Sequence, residues 1–363
     1  MGKKTREKEK ESKNKKELPR VSICTPTFNR RPFFKGLIDN IMSQTYPKDK
    51  IEWIIVDDGT DKIEDLVKDI PFVKYIFTEK MALGKKRNFM HEQCSFKNDN
   101  DIVIYIDDDD YYPKERISHA VEKLTGCSAL CAGSSEIYMW FNTLNKMYRF
   151  GPYGPNHATA GTFAFKRILL KQTGYEDNAL LAEEKHFLKN YTIPFVQLDP
   201  LKTILVISHE QNTFDKRRLI SADNKQCHES GLKVQNFIKN KDILKYYTED
   251  IPKLLLTYEP GNISNKPEVL KEIDRRDKER ELIQHQQNQC QNNGQGQGQG
   301  HPQVTIKNPD GTTRILQTHE IIEALRNITN EALTIRNDNE ILNKRLQTMN
   351  DIIHKNNLQN FFV

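Results

Sequence analysis

The feature that most constrains this 363-residue chain is a regular alternation of short β-rich runs and helical stretches that begins at Val21. Residues 21–25 form a β-rich run, and residues 32–43 read as a helix with Phe34, Leu37, Ile38, Ile41 and Met42 on one face. Residues 51–56 are apolar almost throughout, as strands covered on both faces are. A helix at 63–68, a strand at 73–77, a helix at 84–94 and a strand at 102–106 continue the pattern. Such alternation predicts an α/β sandwich around a parallel sheet, whose ligands lie beyond the carboxyl ends of its strands. Three of these ends are polar: Pro26-Thr27-Phe28-Asn29-Arg30, Asp57-Asp58-Gly59-Thr60, and Asp107-Asp108-Asp109-Asp110-Tyr111. Four adjacent carboxylates repel one another. They make chemical sense beside a hard divalent cation that bridges substrate phosphates; a solvated acidic turn is the plainer alternative.

Beyond Tyr111 the pattern changes. Residues 129–141 and 146–150 flank Asn142-Thr143-Leu144-Asn145 as an antiparallel hairpin, followed by a Gly/Pro-rich loop at 151–155 and an apolar stretch at 161–165. A helix starts at Lys166, a second over 178–190 carries Glu183, Glu184 and His186, and residues 194–208 are extended, ending in Ser208-His209-Glu210-Gln211-Asn212. His91, His209 and His228 each precede a Glu, but no second His follows at zinc-protease spacing. The six cysteines form no C-x-x-C and read as free thiols, which argues against metal or disulfide frameworks.

Hydrophobic residues make up 36% of the chain, or about 37% with Gly counted in place of Tyr, against roughly 45–50% on the latter count in globular domains, so one packed domain must be accompanied by segments that bury little. Residues 1–20 hold nine Lys/Arg and four Glu, which accounts for the whole formal charge of +5. The neutral remainder argues against a nucleic-acid surface, and the tail reads as a solvated arm. No apolar run is long enough to span a bilayer and no secretory signal is present, so the expectation is a soluble, cytoplasmic protein. Residues 266–290 are charged and helix-prone, 291–300 are a Gln/Gly repeat, and Asn308-Pro309-Asp310-Gly311 turns a hairpin between 304–307 and 312–316. Ile321, Leu325, Ile328, Ala332, Ile335, Asn339, Leu342, Leu346, Met349 and Ile353 alternate spacings of four and three, a coiled-coil seam that predicts homo-oligomers, with Asn339 at an a position favouring a parallel dimer.

Four segments occur together and in order: Val21-Ser-Ile-Cys-Thr-Pro-Thr-Phe-Asn-Arg30, Ile54-Ile-Val-Asp-Asp-Gly-Thr60, Gly84-Lys-Lys-Arg-Asn88 and Tyr105-Ile-Asp-Asp-Asp-Asp-Tyr111. Over about residues 21–215 the chain thereby resembles family 2 glycosyltransferases of the GT-A fold. Similar soluble enzymes are found in large DNA viruses, and the Lys/Asn/Ile-rich composition suits such an AT-rich source. The resemblance implies a GT-A type Rossmann-like sandwich with a mixed central sheet, then a linker, a small β-hairpin and a C-terminal coiled-coil helix. The expected divisions are 1–20 (basic tail), 21–258 (catalytic domain), 259–302 (charged helix and linker), 303–317 (hairpin) and 318–357 (coiled coil).

The resemblance also assigns roles. Pro26, Phe28 and Arg30 lie in the loop that packs on the nucleotide, Phe28 replacing the family's usual Tyr. Asp58 matches the acid that reads the base, Lys85 and Arg87 match cations near the base and diphosphate, and Asp108 is placed to meet the ribose. The D-x-D signature falls on Asp107 and Asp109, with Asp109 the direct ligand of Mn²⁺ or Mg²⁺. Gly161, Thr162 and Glu183 fall on the acceptor side, and Glu184 stands where the family has the general base, although as Glu and not Asp. His209 followed by Asn212 resembles a His-x-x-Asn element that approaches the metal. The implied activity is inverting, metal-dependent transfer of a sugar from a nucleotide-sugar, a UDP-sugar, to the hydroxyl of a glycan, glycoprotein or other acceptor. The competing reading is an inactive nucleotide-sugar binder or coiled-coil scaffold.

Overall fold

The computed structural model describes residues 17–220, 224–292, 305–307 and 313–315. Two compact units divide the chain, Met1–Leu282 and Ile283–Val363. Chain order in the first unit runs β1 (Val21–Thr27), α1 (Phe34–Met42), β2 (Ile51–Asp57), α2 (Glu64–Val67), β3 (Val73–Phe77), α3 (Leu83–Gln93), β4 (Ile102–Tyr105) and α4 (Arg116–Thr125). Next come β5 (Cys131–Gly133), β6 (Ile137–Phe141), β7 (Lys146–Phe150), β8 (Ala164–Lys166), α5 (Glu184–Phe187), β9 (Phe195–Gln197), β10 (Leu205–Ser208) and β11 (Cys227–Glu229). The unit is completed by α6 (Val234–Phe237), α7 (Lys241–Lys245), α8 (Ile251–Leu255) and the first part of α9 (Pro267–Asn292). In the second unit, β12 (Thr305–Lys307) and β13 (Thr313–Ile315) pair antiparallel, with Thr305 opposite Ile315.

The fold is α/β with a mixed seven-stranded sheet of order β3-β2-β1-β4-β8-β5-β9. The β1–β4 half is parallel, as the alternation predicts; β8 runs antiparallel to both β4 and β5. Successive residues of each central strand feed opposite cores. Val21, Ile23, Trp53, Ile55, Ile102 and Ile104 pack with Phe34, Leu37, Ile41, Ile117 and Leu124 of α1 and α4. Cys24, Ile54, Val56, Val103 and Tyr105 pack with Met90 of α3 and with Phe163, Phe165 and Phe187. Each fully buried side chain of this size contributes roughly 1.5–3 kcal/mol, and coverage of both faces is why these strands read as unbroken apolar runs. Met42, expected on the buried face of α1, is half exposed because the helix ends there.

Strand order reverses at β1, whose neighbours are β2 on one side and β4 on the other. The crevice beyond the carboxyl ends of β1 and β4 is therefore the topological switch point at which such sheets bind ligands. A second sheet, β10-β6-β7-β11, carries the expected hairpin of β6 and β7. The predicted single strand over 129–141 is instead two: Ser134 and Ser135 break it, so β5 joins the large sheet and β6 the small one.

The helix expected from Lys166 is a 3₁₀ stretch at Arg167–Lys171. The helix expected over 178–190 shrinks to α5, because Ala182, Lys189, Asn190 and Tyr191 all adopt left-handed backbone angles that no α-helix admits. The compact unit also extends past the expected boundary at 258, to Leu282. Residues 258–277 are stapled to it by Tyr258–Asp61, Asn29–Pro260, Lys80–Glu268, Arg276–Leu181 and Arg218–Asp277 contacts. The tail residues 1–16 and the coiled-coil seam of 318–357 lie outside the described residues. Among the described residues no helix is long and apolar enough to cross a membrane, and Cys24, Cys94, Cys127, Cys131 and Cys227 are free thiols.

Candidate functional site

The switch-point crevice holds a cleft of about 230 Å³ lined by Pro26, Thr27, Phe28 and Arg30 after β1, Asp58 after β2, and Asp107, Asp108 and Asp109 after β4. Lys86 and Arg87 enter from α3, Leu180 and Leu181 from the loop before α5, and Lys266 and Val269 from the start of α9. Close backbone packing shapes the rim. Asn29 adopts a left-handed φ of 52°, and its side-chain oxygen accepts hydrogen bonds from the amides of Thr60 (2.7 Å) and Asp61 (2.9 Å). A Cβ at Gly59 would lie 2.5 Å from that same oxygen, so only glycine allows the two loops to meet.

The four consecutive aspartates separate by role. Asp110 turns inward, accepting the Ile207 amide at 2.8 Å, while its carbonyl receives the Tyr247 hydroxyl at 3.1 Å. It joins β10 to the rim and does not face the cleft. The Asp107 amide donates to the Tyr112 hydroxyl at 2.7 Å, which fixes where the acidic turn begins. A Cβ on Gly161 would stand 2.6 Å from Asp107 Oδ2, so this carboxylate lies directly on a glycine. Asp108 Oδ1 lies 3.8 Å from Arg30 Nε. Asp109 Oδ2 meets His209 Nε2 at 3.1 Å and Asn212 Nδ2 at 3.3 Å.

Burial, followed by the neighbouring charge of Asp109, pushes Asp108 up to about 7. Burial acts on Asp109 in the same direction, but the hydrogen bond from His209 and the charges of Lys216 and Arg30 overcome it and hold this acid below the usual carboxylate range. His209 is driven down to about 4 by burial, against the pull of Asp109. Its Nδ1 accepts the Gln211 amide at 3.2 Å, which leaves the ring proton on Nε2, facing Asp109. His209 thus sits as a donor to Asp109, and a ligating role requires its other tautomer.

The fit of this site to a divalent ion rests on Asp107 Oδ1, a buried oxygen with no hydrogen-bond partner, beside the anionic Asp109. Among the described residues no trio of His, Cys, Asp or Glu is gathered as a ready-made metal cage. One or two carboxylates completed by substrate phosphates is the arrangement Mg²⁺-type ions favour.

The cationic side differs from expectation in one residue. Lys85 is exposed and does not line the cleft; Lys86, one position on, is buried and paired with Asp58 Oδ1. Asp58 Oδ2 also accepts the Met81 amide at 3.0 Å. Lys86 shares the buried face of α3 with Met90, four residues on, but the sequence marks that face with no apolar stripe. Arg87 Nε donates to Glu183 at 2.8 Å, Nη2 lies 3.7 Å from Asp107, and the guanidinium covers the Tyr105 ring at 4.3 Å. Glu183, expected on the acceptor side, is therefore committed to Arg87. Thr162 is likewise internal, donating to the Thr159 carbonyl and accepting from the Ser134 amide. Arg87→Met would leave the buried Glu183 and the half-buried Asp107 without their cation and is expected to destabilise the fold by about 3–5 kcal/mol. Urea denaturation with unchanged slope and a lowered midpoint checks this.

Two contributors carry no local sequence signal. Lys80 and Lys266 place their ammonium groups 4.8 and 5.0 Å from the centre of the Phe28 ring, and Lys266 also donates to Thr213 Oγ1 at 3.2 Å. Lys266 is lowered to about 7 by burial and then by the charge of Arg30. Glu184 stands at the start of α5 outside the lining of this cleft; burial and then the charge of Glu183 raise its carboxyl to about 7.

Residues 22–177 match the family described as "Glycosyl transferase family 2". The chain is 26% identical over 113 residues to "Probable glycosyltransferase YdaM" of Bacillus subtilis (strain 168), covering 30% of this chain and 27% of that protein. It is 28% identical over 109 residues to "Poly(ribitol-phosphate) beta-N-acetylglucosaminyltransferase TarS" of Staphylococcus aureus (strain Mu50 / ATCC 700699), covering 28% of this chain and 18% of that protein. The chain thus spans about a quarter or less of the length of these curated relatives. Among solved structures, the mannosyltransferase PcManGT from Pyrobaculum calidifontis in complex with GDP-Man and Mn²⁺ aligns with a TM-score of 0.43 at 18% identity, covering 68% of this chain and 74% of that one. Both of these curated relatives are bacterial, and neither supports the viral likeness expected from the sequence.

Proposed function

We propose that this chain is an inverting, metal-dependent glycosyltransferase that moves a sugar from a nucleotide-sugar, a UDP-sugar, to an acceptor hydroxyl. The observation that carries this reading is the meeting, at the β1/β4 switch point, of an aromatic ring, a base-reading acid, buried cations and the Asp107–Asp109 pair in one cleft. The nucleotide base packs on Phe28 and hydrogen-bonds Asp58, whose charge Lys86 keeps in place. Arg87 and Lys266 face the diphosphate, and Arg30 holds the acidic turn in register. Asp109, with Asp107, would hold a divalent ion such as Mn²⁺ or Mg²⁺, which when bound would neutralise charge on the leaving diphosphate. His209 and Asn212 orient Asp109 for that task. Glu184 takes the proton from the acceptor hydroxyl as that oxygen attacks the anomeric carbon. The heptad over 318–357 is proposed to pair copies of the chain, and a cytoplasmic location accords with this chemistry.

The test is a thermal-shift and turnover screen of the full chain with UDP-GlcNAc, UDP-glucose and GDP-mannose, with and without Mn²⁺. A donor at about 100 times its Kd stabilises the fold by about 2.7 kcal/mol, so a rise in Tm that needs both nucleotide-sugar and Mn²⁺ is expected, with release of the nucleoside diphosphate. Absence of both signals for every donor overturns the reading.

A further inference from the structure

On the side of the molecule where Glu184 stands, three aromatic rings form a row that the donor chemistry does not use. Tyr153 and His157 have ring centres 4.8 Å apart, and His157 and Tyr191 5.0 Å apart, with interplanar angles of 45° and 31°. Tyr153 is 42% exposed. His157 Nδ1 is buried with no hydrogen-bond partner. We propose that the Tyr153–His157–Tyr191 row is the acceptor subsite and that it takes the apolar face of a pyranose, so that the acceptor is a carbohydrate hydroxyl. This rests on the reading of Glu184 as the base.

Both ends of the row are held by the fold. Gln197 grips the loop bearing Tyr153 and His157, its Nε2 donating to the carbonyls of Pro155 (2.7 Å) and His157 (3.1 Å), while its Oε1 accepts the Ser135 amide (2.8 Å). At Gly151, φ is 88° and a Cβ would fall 2.2 Å from the Ser135 carbonyl, so the loop's close approach requires glycine. At the other end, Lys189, Asn190 and Tyr191 form a run of left-handed residues with φ of 48°, 55° and 62°. Such conformations are disfavoured for residues with a side chain and persist where surrounding structure over-determines them. Here the run ends α5 abruptly and returns Tyr191 towards Glu184, whose charge, after burial, raises the Tyr191 phenol.

Reach to the reaction centre follows from chain length. His157 is four residues from Gly161, and Gly161 packs on Asp107 Oδ2; the backbone of His157 therefore lies within about 14 Å of that glycine. The chemistry of the row selects the ligand. The C–H groups on one face of a pyranose meet the electron-rich faces of aromatic rings favourably. An anionic polymer calls for cations instead, and here Lys80, Lys86, Arg87 and Lys266 line the nucleotide cleft.

The full chain is tested by saturation-transfer NMR with cellotriose, maltotriose and chitotriose, and by acceptor kinetics with UDP-GlcNAc, UDP-glucose and GDP-mannose as donors. Transfer of saturation to at least one trisaccharide is expected, lost in Tyr153→Ala and Tyr191→Ala and kept in Tyr153→Phe and Tyr191→Phe. With an accepted trisaccharide, each Ala variant is expected to raise the acceptor KM about tenfold with little change in kcat, and each Phe variant to restore it. Donor Kd and Tm report that the variants are folded. The inference is overturned if no trisaccharide receives saturation, if both Ala variants keep the wild-type acceptor KM, or if glycerol 3-phosphate serves as acceptor and the trisaccharides do not. If no donor is turned over, the glycosyltransferase reading fails while the NMR arm still decides the ring row.

Discussion

Asp109→Asn is expected to lower kcat/KM on the order of 10³-fold and to remove the Mn²⁺ dependence of donor binding. The size follows from the loss of one preorganised group that stabilises transition-state charge in a water-poor site. Asp109 is the acid of the turn that stays charged: His209, Lys216 and Arg30 hold it below the usual carboxylate range despite burial. Asp108, pushed up to about 7, does not offer a full charge in its place. Asparagine keeps the size and an oxygen to receive His209, so the fold survives and only the charge is lost. Calorimetry with UDP-GlcNAc and UDP-glucose checks this: wild-type affinity rises with Mn²⁺ and that of Asp109→Asn does not. An equal Mn²⁺ response in the two proteins would remove Asp109 from the metal site.

The parts of this fold that could be read from the sequence are those in which one physical term dominates. β1, β2 and β4 are covered on both faces, so burial alone sets their composition, and α1 shows a helical stripe because only one of its faces is buried. The acidic turn could be placed because four carboxylates at a strand end have few structural explanations. Legibility fails where polar groups are buried by mutual pairing. α3 buries Lys86, Arg87 and His91 and therefore shows no apolar stripe, and the paired Lys86 was hidden behind its exposed neighbour Lys85. Asp110 and Asp109 are adjacent and chemically identical; only the Ile207 amide and His209, nearly a hundred residues away, separate their roles. Glu183 reads as half of an acidic pair until Arg87 claims it. Lys266 belongs to a stretch whose composition reads as a charged linker, and only the tertiary fold seats it on Phe28.

Glu184→Gln is expected to reduce transfer by about 10²- to 10⁴-fold while leaving donor affinity unchanged, the loss that removal of a general base produces. A base must be unprotonated, and burial with Glu183 nearby places the Glu184 carboxyl at about 7. Wild-type transfer therefore rises with pH up to about 7 and levels off above it, whereas the residual rate of Glu184→Gln lacks this acid limb. Stability moves in the opposite sense. The carboxyl is raised above the ordinary glutamate value of 4.5, so the folded state favours the protonated form and Glu184 detracts from stability as pH climbs from that value through 7. Glutamine is neutral throughout and escapes this loss. The Tm of Glu184→Gln at pH 8 is therefore expected to equal or exceed that of the wild type, which separates lost chemistry from lost fold. Glu184→Asp, the residue that the resembled family carries at this position, is expected to regain part of the rate and the acid limb together. Full turnover by Glu184→Gln with the limb intact would assign the proton to another group.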